Sequence, residues 1–296
     1  MNFKRIVIPA YLKCIKYFSR GHNLGKYSII RKIVKKTESM LKSDFTIVQG
    51  NKMFLDKWDS LDLSINGVYN EFDTKLIKEQ VKSGYRVIDL GANIGYHSLL
   101  FAKLVGESGS VYSFEPEPKN FELLKKNIIV NKFQNIISEP HAISNTNSNC
   151  NLYVGRFSSG GNLICEPRKP ERFEKKPIII QTIILDDYFS EIDLVDKIDF
   201  IKIDIEGSEL KALQGMSKIL KENKNLKIFI EFSRRALEYA GSDPRELLNL
   251  LENEGFTIYY VDDIKNKIVI ADKNLLMTSN TCMIKTINLF CVKETK

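Results

Sequence analysis

Two rhythms of apolar and polar positions run along this chain. From residue 85 onward, short apolar runs alternate with longer stretches of helical period. The runs at 86–90, 110–115, 136–139, 200–204, 227–231 and 257–261 are rich in β-branched and aromatic residues and predict strands. The stretches at 94–105, 119–131, 206–220 and 244–254 place apolar residues on one helical face and predict helices. This alternation predicts parallel strands with crossover helices on both faces. Residues 267–271 and 281–292 read as strands with no helix between them, so an antiparallel hairpin is expected to close the sheet. The stretch 145–190 is strand-rich as well, with runs at 151–154 and 177–185 around a Gly160-Gly161 loop. Ahead of the regular region come short β-like runs at 45–48 and 52–55 and a turn signal at Asn66-Gly67. A helix is expected to start near Asp73, whose side chain can cap free amides.

Composition narrows the class. Of 296 residues, 43% are hydrophobic and 27% charged, which excludes collagen-like, low-complexity and wholly disordered chains. The uninterrupted apolar stretches are only a few residues long, too short to span a bilayer. The net charge of +7 hides an asymmetry: residues 1–42 carry eleven basic residues and one acid, and the rest of the chain sums to −3. A slightly acidic body speaks against a nucleic-acid channel. Residues 1–42 hold two short basic segments with apolar faces, separated by Gly21 and Gly25. A pair of helices packed on the body, attachment to an anionic membrane and contact with nucleic acid compete as readings there. Peripheral membrane contact is the expectation kept for testing, and nucleic acid ranks last. The segment divides the chain into a basic helical part, 1–44, and a single domain, 45–296, with its ligand-binding core at about 73–292. Five cysteines without C-x-x-C spacing read as free thiols in a reducing compartment. The apolar stretch after the first basic residues is broken by Pro9 and closed by Lys13, so it does not read as a signal peptide. Together these point to a cytoplasmic protein, peripheral at the membrane if the basic segment attaches.

The chemistry concentrates at Val87-Ile-Asp-Leu-Gly-Ala-Asn-Ile-Gly95, where a strand runs into a glycine turn that opens a helix. Such a turn brings bare backbone and free amides up to a ligand. Twenty residues after Gly95, Glu115 ends the next strand, where an α/β nucleotide binder places a carboxylate for ribose hydroxyls. A dinucleotide fingerprint needs a middle glycine to admit pyrophosphate, and Asn93 follows Ala92 here instead. Asp89, just before the turn, would repel phosphate but suits a ligand with ammonium or sulfonium charge. S-adenosylmethionine has both, and a ribose.

Asp89-Leu-Gly91-Ala-Asn93-Ile-Gly95 followed by Phe114-Glu115-Pro116 resembles the class I methyltransferase signature. Asp62-Leu-Ser-Ile-Asn-Gly-Val-Tyr69, Glu115-Pro-Glu-Pro118, Leu185-Asp-Asp-Tyr188 and Ile201-Lys-Ile-Asp204-Ile-Glu206-Gly207-Ser-Glu209 resemble the FkbM family of methyltransferases over roughly residues 50–292. The resemblance implies a Rossmann-like α/β fold and an S-adenosylmethionine-dependent enzyme of the methyl-transferring class. It implies a hydroxyl acceptor on a sugar, glycan or related metabolite. It places Gly91, Ala92, Asn93 and Gly95 around the methionine moiety, with Asp89 beneath. Glu115 would take the ribose, Pro116 would lie against the adenine, and His141 and Ala142 would line its far edge. Asp204 would face the methionine amine or the acceptor, and Glu231 the acceptor. An alcohol must lose a proton on methylation, so a base helps; Asp204, Glu206, Glu231 and His97 are the candidates.

Blander roles compete at several positions. His97, in the first helical turn, reads equally as a packing residue. Asp186-Asp187 could join Asp204 at a Mg²⁺ ion or simply start a helical turn, and no metal ligand set is assigned. Glu209 could reach the acceptor or complement a helix dipole. Cys150 and Cys165 read as small buried hydrophobes. The rival functions are an NAD- or nucleotide-sugar-dependent enzyme on a related sheet, and a non-catalytic scaffold that binds partners.

Overall fold

The computed structural model describes residues 44–156, 158–278 and 286–293. The basic segment 1–42 and its expected helices therefore lie outside the described residues. In chain order come β1 (Phe45–Val48), β2 (Asn51–Phe54), α1 (Leu63–Asn66), α2 (Glu71–Gln80), β3 (Arg86–Leu90), α3 (Tyr96–Val105) and β4 (Ser110–Phe114). Next are α4 (Pro118–Val130), β5 (Ile136–Glu139), β6 (Ala142–Ile143), β7 (Ser148–Leu152), β8 (Ile178–Ile183), α5 (Leu185–Glu191) and β9 (Phe200–Ile203). The last are α6 (Glu209–Gln214), α7 (Ser217–Glu222), β10 (Lys227–Phe232), α8 (Arg234–Tyr239), α9 (Pro244–Asn253), β11 (Phe256–Asp262), β12 (Lys267–Ile270), α10 (Lys273–Thr278) and β13 (Ile287–Lys293).

Eight strands form the central sheet in the order β12-β11-β13-β10-β9-β3-β4-β5. The five from β10 to β5 pair in parallel. Their apolar runs are continuous because both faces are covered. On one face Ile88, Leu90, Ile201, Ile203, Ile228 and Ile230 pack with Leu210, Leu213, Leu247 and Leu251 of α6 and α9. On the other, Val87, Val111, Phe200 and Phe229 meet Leu76 and Ile77 of α2 and Leu100 and Phe101 of α3. The strand order turns around β3 and β9, since the chain runs outward one way through β4 and β5 and returns to the other side through β9 and β10. Open α/β sheets bind ligands at such a switch, outside the carboxyl ends of the strands. This is the expected Rossmann-like architecture. The strand-rich stretch forms its own three-stranded sheet, β6-β8-β7.

Three expectations are corrected. The stretch between the last strands does hold a helix, α10, and those strands do not form a hairpin. Instead β12 pairs with β11, while β13 inserts antiparallel between β10 and β11. Burial explains the order: Leu289, Phe290 and Cys291 are at most 3% exposed and belong inside a sheet, whereas β12 is an exposed edge. The single helix expected over 206–220 is two helices, beginning only at Glu209. Glu206 (φ 54°) and Gly207 (φ 100°) are left-handed and cannot be helical. The break falls at Gly215, where a Cβ would lie 2.1 Å from the Ser144 carbonyl oxygen. Finally, Asp73 is not a cap. The helix starts at Glu71, and Asp73 is buried within it, accepting a hydrogen bond of 2.8 Å from Asn288 Nδ2.

Candidate functional site

A cleft opens over the carboxyl ends of β3, β4, β9 and β10, with about 990 Å³ of atom-free space including its open mouth. Its first wall is the turn after β3. Gly91 and Ala92 donate amides to the Phe114 carbonyl at 3.1 and 3.0 Å, drawing the turn against β4. Gly91 has φ 76°, and a Cβ there would stand 2.0 Å from the Asp204 carbonyl oxygen. Only glycine allows the turn to touch the end of β9 in this way. Asn93 follows with φ 51°, and its Oδ1 is buried without a hydrogen-bond partner.

Glu115, only 4% exposed, lies at one end of the cleft. Its carboxylate accepts from the amides of Asn93 (2.8 Å) and Glu117 (3.0 Å). Burial nonetheless pushes its carboxyl up to about 7. Pro116, His141, Ala142 and Ile143 line the cleft beside it with flat or small apolar surface. His141 Nδ1 stands 3.7 Å from Glu139. Over this region runs the loop Ser159–Asn162, carried by the inserted sheet. Asn120 Nδ2 donates to the Ser159 carbonyl (2.9 Å), and the Ser159 amide donates to Ser60 Oγ (2.8 Å). The Gly161 amide donates to Glu206 Oε1 (2.9 Å), so the loop is fastened on both sides of the cleft.

The other end is acidic. Asp204, Glu206 and Glu231 bring carboxylate oxygens within 4.8 Å of one another, and this is the group among the described residues that could hold a metal ion. Burial, then the Asp204 charge, raises the Glu206 carboxyl to about 7; burial and the Asp204 and Glu206 charges hold Glu231 well above the usual carboxylate range. Lys202, only 3% exposed, lies beneath them, 3.3 Å from Asp204 and 3.6 Å from Asp89, and donates to the Gly91 carbonyl at 3.3 Å. Burial works to lower the Lys202 pKa, but the two carboxylates outweigh it and the ammonium is held charged.

The structure gathers most of the candidate residues around this cleft. Gly91, Ala92, Asn93, Glu115, Pro116, His141, Ala142, Asp204, Glu206, Glu231 and His97 all border it. Asp89 does not: it is fully buried beneath the turn, bonded to Ser98 Oγ at 2.7 Å and paired with Lys202. In this position it holds the turn. Gly95 does not border the cleft either. It begins α3 at φ 95° and lets the helix approach α4, where a Cβ would meet Leu124 at 2.8 Å. His97 is 7% exposed among Tyr69, Tyr96 and Phe101, with Nε2 unpartnered. Burial and the Lys202 charge push its pKa well down, so the ring is neutral.

Asp186 and Asp187 stand apart from the cleft. Asp186 caps α7, accepting from the amides of Lys218 (2.8 Å) and Ile219 (3.1 Å), and Asp187 bonds Asn147. Glu209 is bound to the Gly207 amide at 3.0 Å and does not line the cleft. Cys150, Cys165 and Cys291 are free thiols, and Cys150 and Cys165 are half-exposed rather than buried. Lys202, Tyr69 and the Ser159–Asn162 loop line the cleft without having been singled out from the sequence as ligand-facing. The lysine's signal was its place two residues before Asp204, on the same side of a strand that is otherwise apolar.

The residues present fit S-adenosylmethionine. A buried carboxylate and a flat apolar wall occupy the nucleoside end, an orphaned Asn93 oxygen stands on the turn beside it, and acids occupy the end that would meet positive charge. The profile of the Methyltransferase FkbM domain matches residues 89–258, more than half of the chain. The hexuronic acid methyltransferase AglP of Haloferax volcanii is 26% identical over 182 residues, covering 60% of this chain and 65% of that protein. A protein-L-isoaspartate O-methyltransferase of Methanothrix thermoacetophila is 36% identical over 56 residues, covering 19% of this chain and 27% of that protein. The chain thus spans less than two thirds of the length of either relative. Among solved structures, a putative O-methyltransferase from Klebsiella pneumoniae superposes with a TM-score of 0.45 at 9% identity, over 77% of this chain and 80% of that one.

Proposed function

The chain belongs to the FkbM methyltransferase family, and from this we propose that it transfers a methyl group from S-adenosylmethionine to a hydroxyl oxygen of a sugar, glycan or related metabolite. The observation that carries the reading is one cleft with a buried nucleoside-type carboxylate, Glu115, at one end and the Asp204, Glu206 and Glu231 cluster at the other. The relative from Haloferax volcanii, named for hexuronic acid methylation, supports a sugar acceptor.

Bound S-adenosylmethionine supplies a sulfonium methyl group that needs no further activation. What this chain does is hold, align and deprotonate. Glu115 accepts the ribose hydroxyls, and Pro116, His141 and Ala142 flank the base. The turn Gly91–Asn93 holds the amino-acid end. Lys202 fixes this end by tying Asp89, the Gly91 carbonyl and Asp204 together. On the acceptor side the hydroxyl proton passes to Glu231, whose affinity for a proton is raised by burial and by the Asp204 and Glu206 charges. Neutral His97 offers its free Nε2 to orient the same hydroxyl.

Thermal unfolding tests the cofactor. Saturating S-adenosylhomocysteine is expected to raise the melting temperature by binding the folded state, and NAD to leave it unchanged. Stabilisation by NAD with none from S-adenosylhomocysteine would overturn the reading in favour of a nicotinamide enzyme.

A further inference from the structure

The charge of the acceptor end says which hydroxyl compounds can enter. Three carboxylates converge there, and buried Glu209 stands behind them, close enough for its charge to act on Glu231. Apart from two imidazoles, Lys202 is the only basic side chain among the described lining residues. Lys202 is already engaged by Asp89 and Asp204. Among the described lining residues no free cationic side chain is left to pair with an acceptor carboxylate or phosphate, and such a group would meet like charge in a partly dry site. Independently of the acids, His97 borders the same cleft at 7% exposure with Nε2 unpartnered, a buried polar atom left for a ligand to satisfy. The acceptor end is thus rich in carboxylate oxygens and, among the described residues, poor in free cations. Resting on the methyltransferase reading, we propose that the acceptor is a polyol bearing an amino group beside the methylated hydroxyl, and that the site refuses acceptors carrying an anionic group there.

An ammonium matches the cluster in detail. It carries three N–H donors and no acceptor. Oxygens no more than 4.8 Å apart can all be reached from one point at about 2.8 Å, the length of a charge-assisted N–H···O bond. Glu206 and Asp204 hold this group, leaving Glu231 for the hydroxyl proton. Held as an ammonium, the nitrogen has no lone pair to attack the donor, so the methyl group goes to oxygen.

The test uses the full chain saturated with S-adenosylhomocysteine, so that a failure to bind this nucleoside, which removes the methyltransferase reading itself, is seen first. Saturation-transfer NMR then compares the methyl glycosides of glucosamine, glucose and glucuronic acid, with and without Mg²⁺. The glucosaminide is expected to bind about tenfold or more tighter than the glucuronide without Mg²⁺. Glu206→Gln is expected to shrink that ratio, and labelled S-adenosylmethionine to place its methyl on oxygen of the glucosaminide. Equal or tighter binding of the glucuronide would overturn the proposal. So would no binding of the glucosaminide by a protein that binds S-adenosylhomocysteine, or binding that needs Mg²⁺, which would assign the cluster to a metal ion.

Discussion

Glu115 is an acid that is uncomfortable without its ligand. Its carboxyl is pushed up to about 7 by burial, although two backbone amides favour the charged form. Ribose hydroxyls donate to the ionised carboxylate, so binding draws its pKa down, and below about pH 7 binding must expel a proton. S-adenosylhomocysteine affinity should therefore rise with pH between 6 and 7.5 and level off above, as calorimetry in buffers of different ionisation enthalpy can follow. Glu115→Gln should flatten this dependence and weaken binding by about 1.5–3 kcal/mol, the cost of losing hydrogen bonds to a charged group. An unchanged pH profile in the variant would remove Glu115 from the ribose. Glu231 makes a different prediction. As the base it acts on the acceptor, so Glu231→Gln should reduce turnover by about 10²–10⁴-fold while S-adenosylhomocysteine affinity moves little. Equal losses in both would make it a cofactor ligand instead.

Elements decide how far such residues can be read from sequence. The strand β3, the turn after it and Glu115 were legible, because a strand-glycine-helix junction is a local event and the carboxylate lies at a fixed distance along the chain. The strand bounds 86–90 and 136–139 coincide with the expectation. What depended on distant contacts was not legible. Asp89 precedes the turn and reads as part of the ligand site; only the fold shows that it also pairs with Lys202 from a neighbouring strand. The α6 start was misread because left-handed Glu206 leaves no mark in helical periodicity. The place of β13 was misread because which strand lies at the edge is settled by burial. Asp186 was weighed as a metal ligand and is a cap between elements. Two substitutions separate these roles. Asp186→Ala should lower stability by about 1–2 kcal/mol through loss of the α7 cap and leave S-adenosylhomocysteine affinity intact. Gly91→Ala must displace the turn from β9, since its Cβ would overlap the Asp204 carbonyl, and should abolish binding. Denaturant unfolding and calorimetry on both variants check the contrast; tight binding by the Gly91 variant would mean that the turn does not shape the site.

At the scale of the whole molecule, charge is separated rather than spread. Residues 1–42 carry a net +10 and the rest −3, and the described body brings the carboxylates of Asp204, Glu206 and Glu231 together at the cleft. No helix among the described residues is long and apolar enough to cross a membrane. A basic segment with apolar faces can nevertheless attach to a surface of anionic lipid, where each Lys or Arg contributes about 1 kcal/mol. We propose that residues 1–42 act in this way and bring the cleft to acceptors built on lipid carriers. Sedimentation with vesicles of increasing phosphatidylserine content should pellet the full chain, less so at high salt because the attraction is screened. A chain lacking residues 1–42 should stay in the supernatant while still being stabilised by S-adenosylhomocysteine, which shows that it is folded. Equal, salt-insensitive recovery of both chains in the supernatant would eliminate membrane attachment and leave the basic segment as solvated surface.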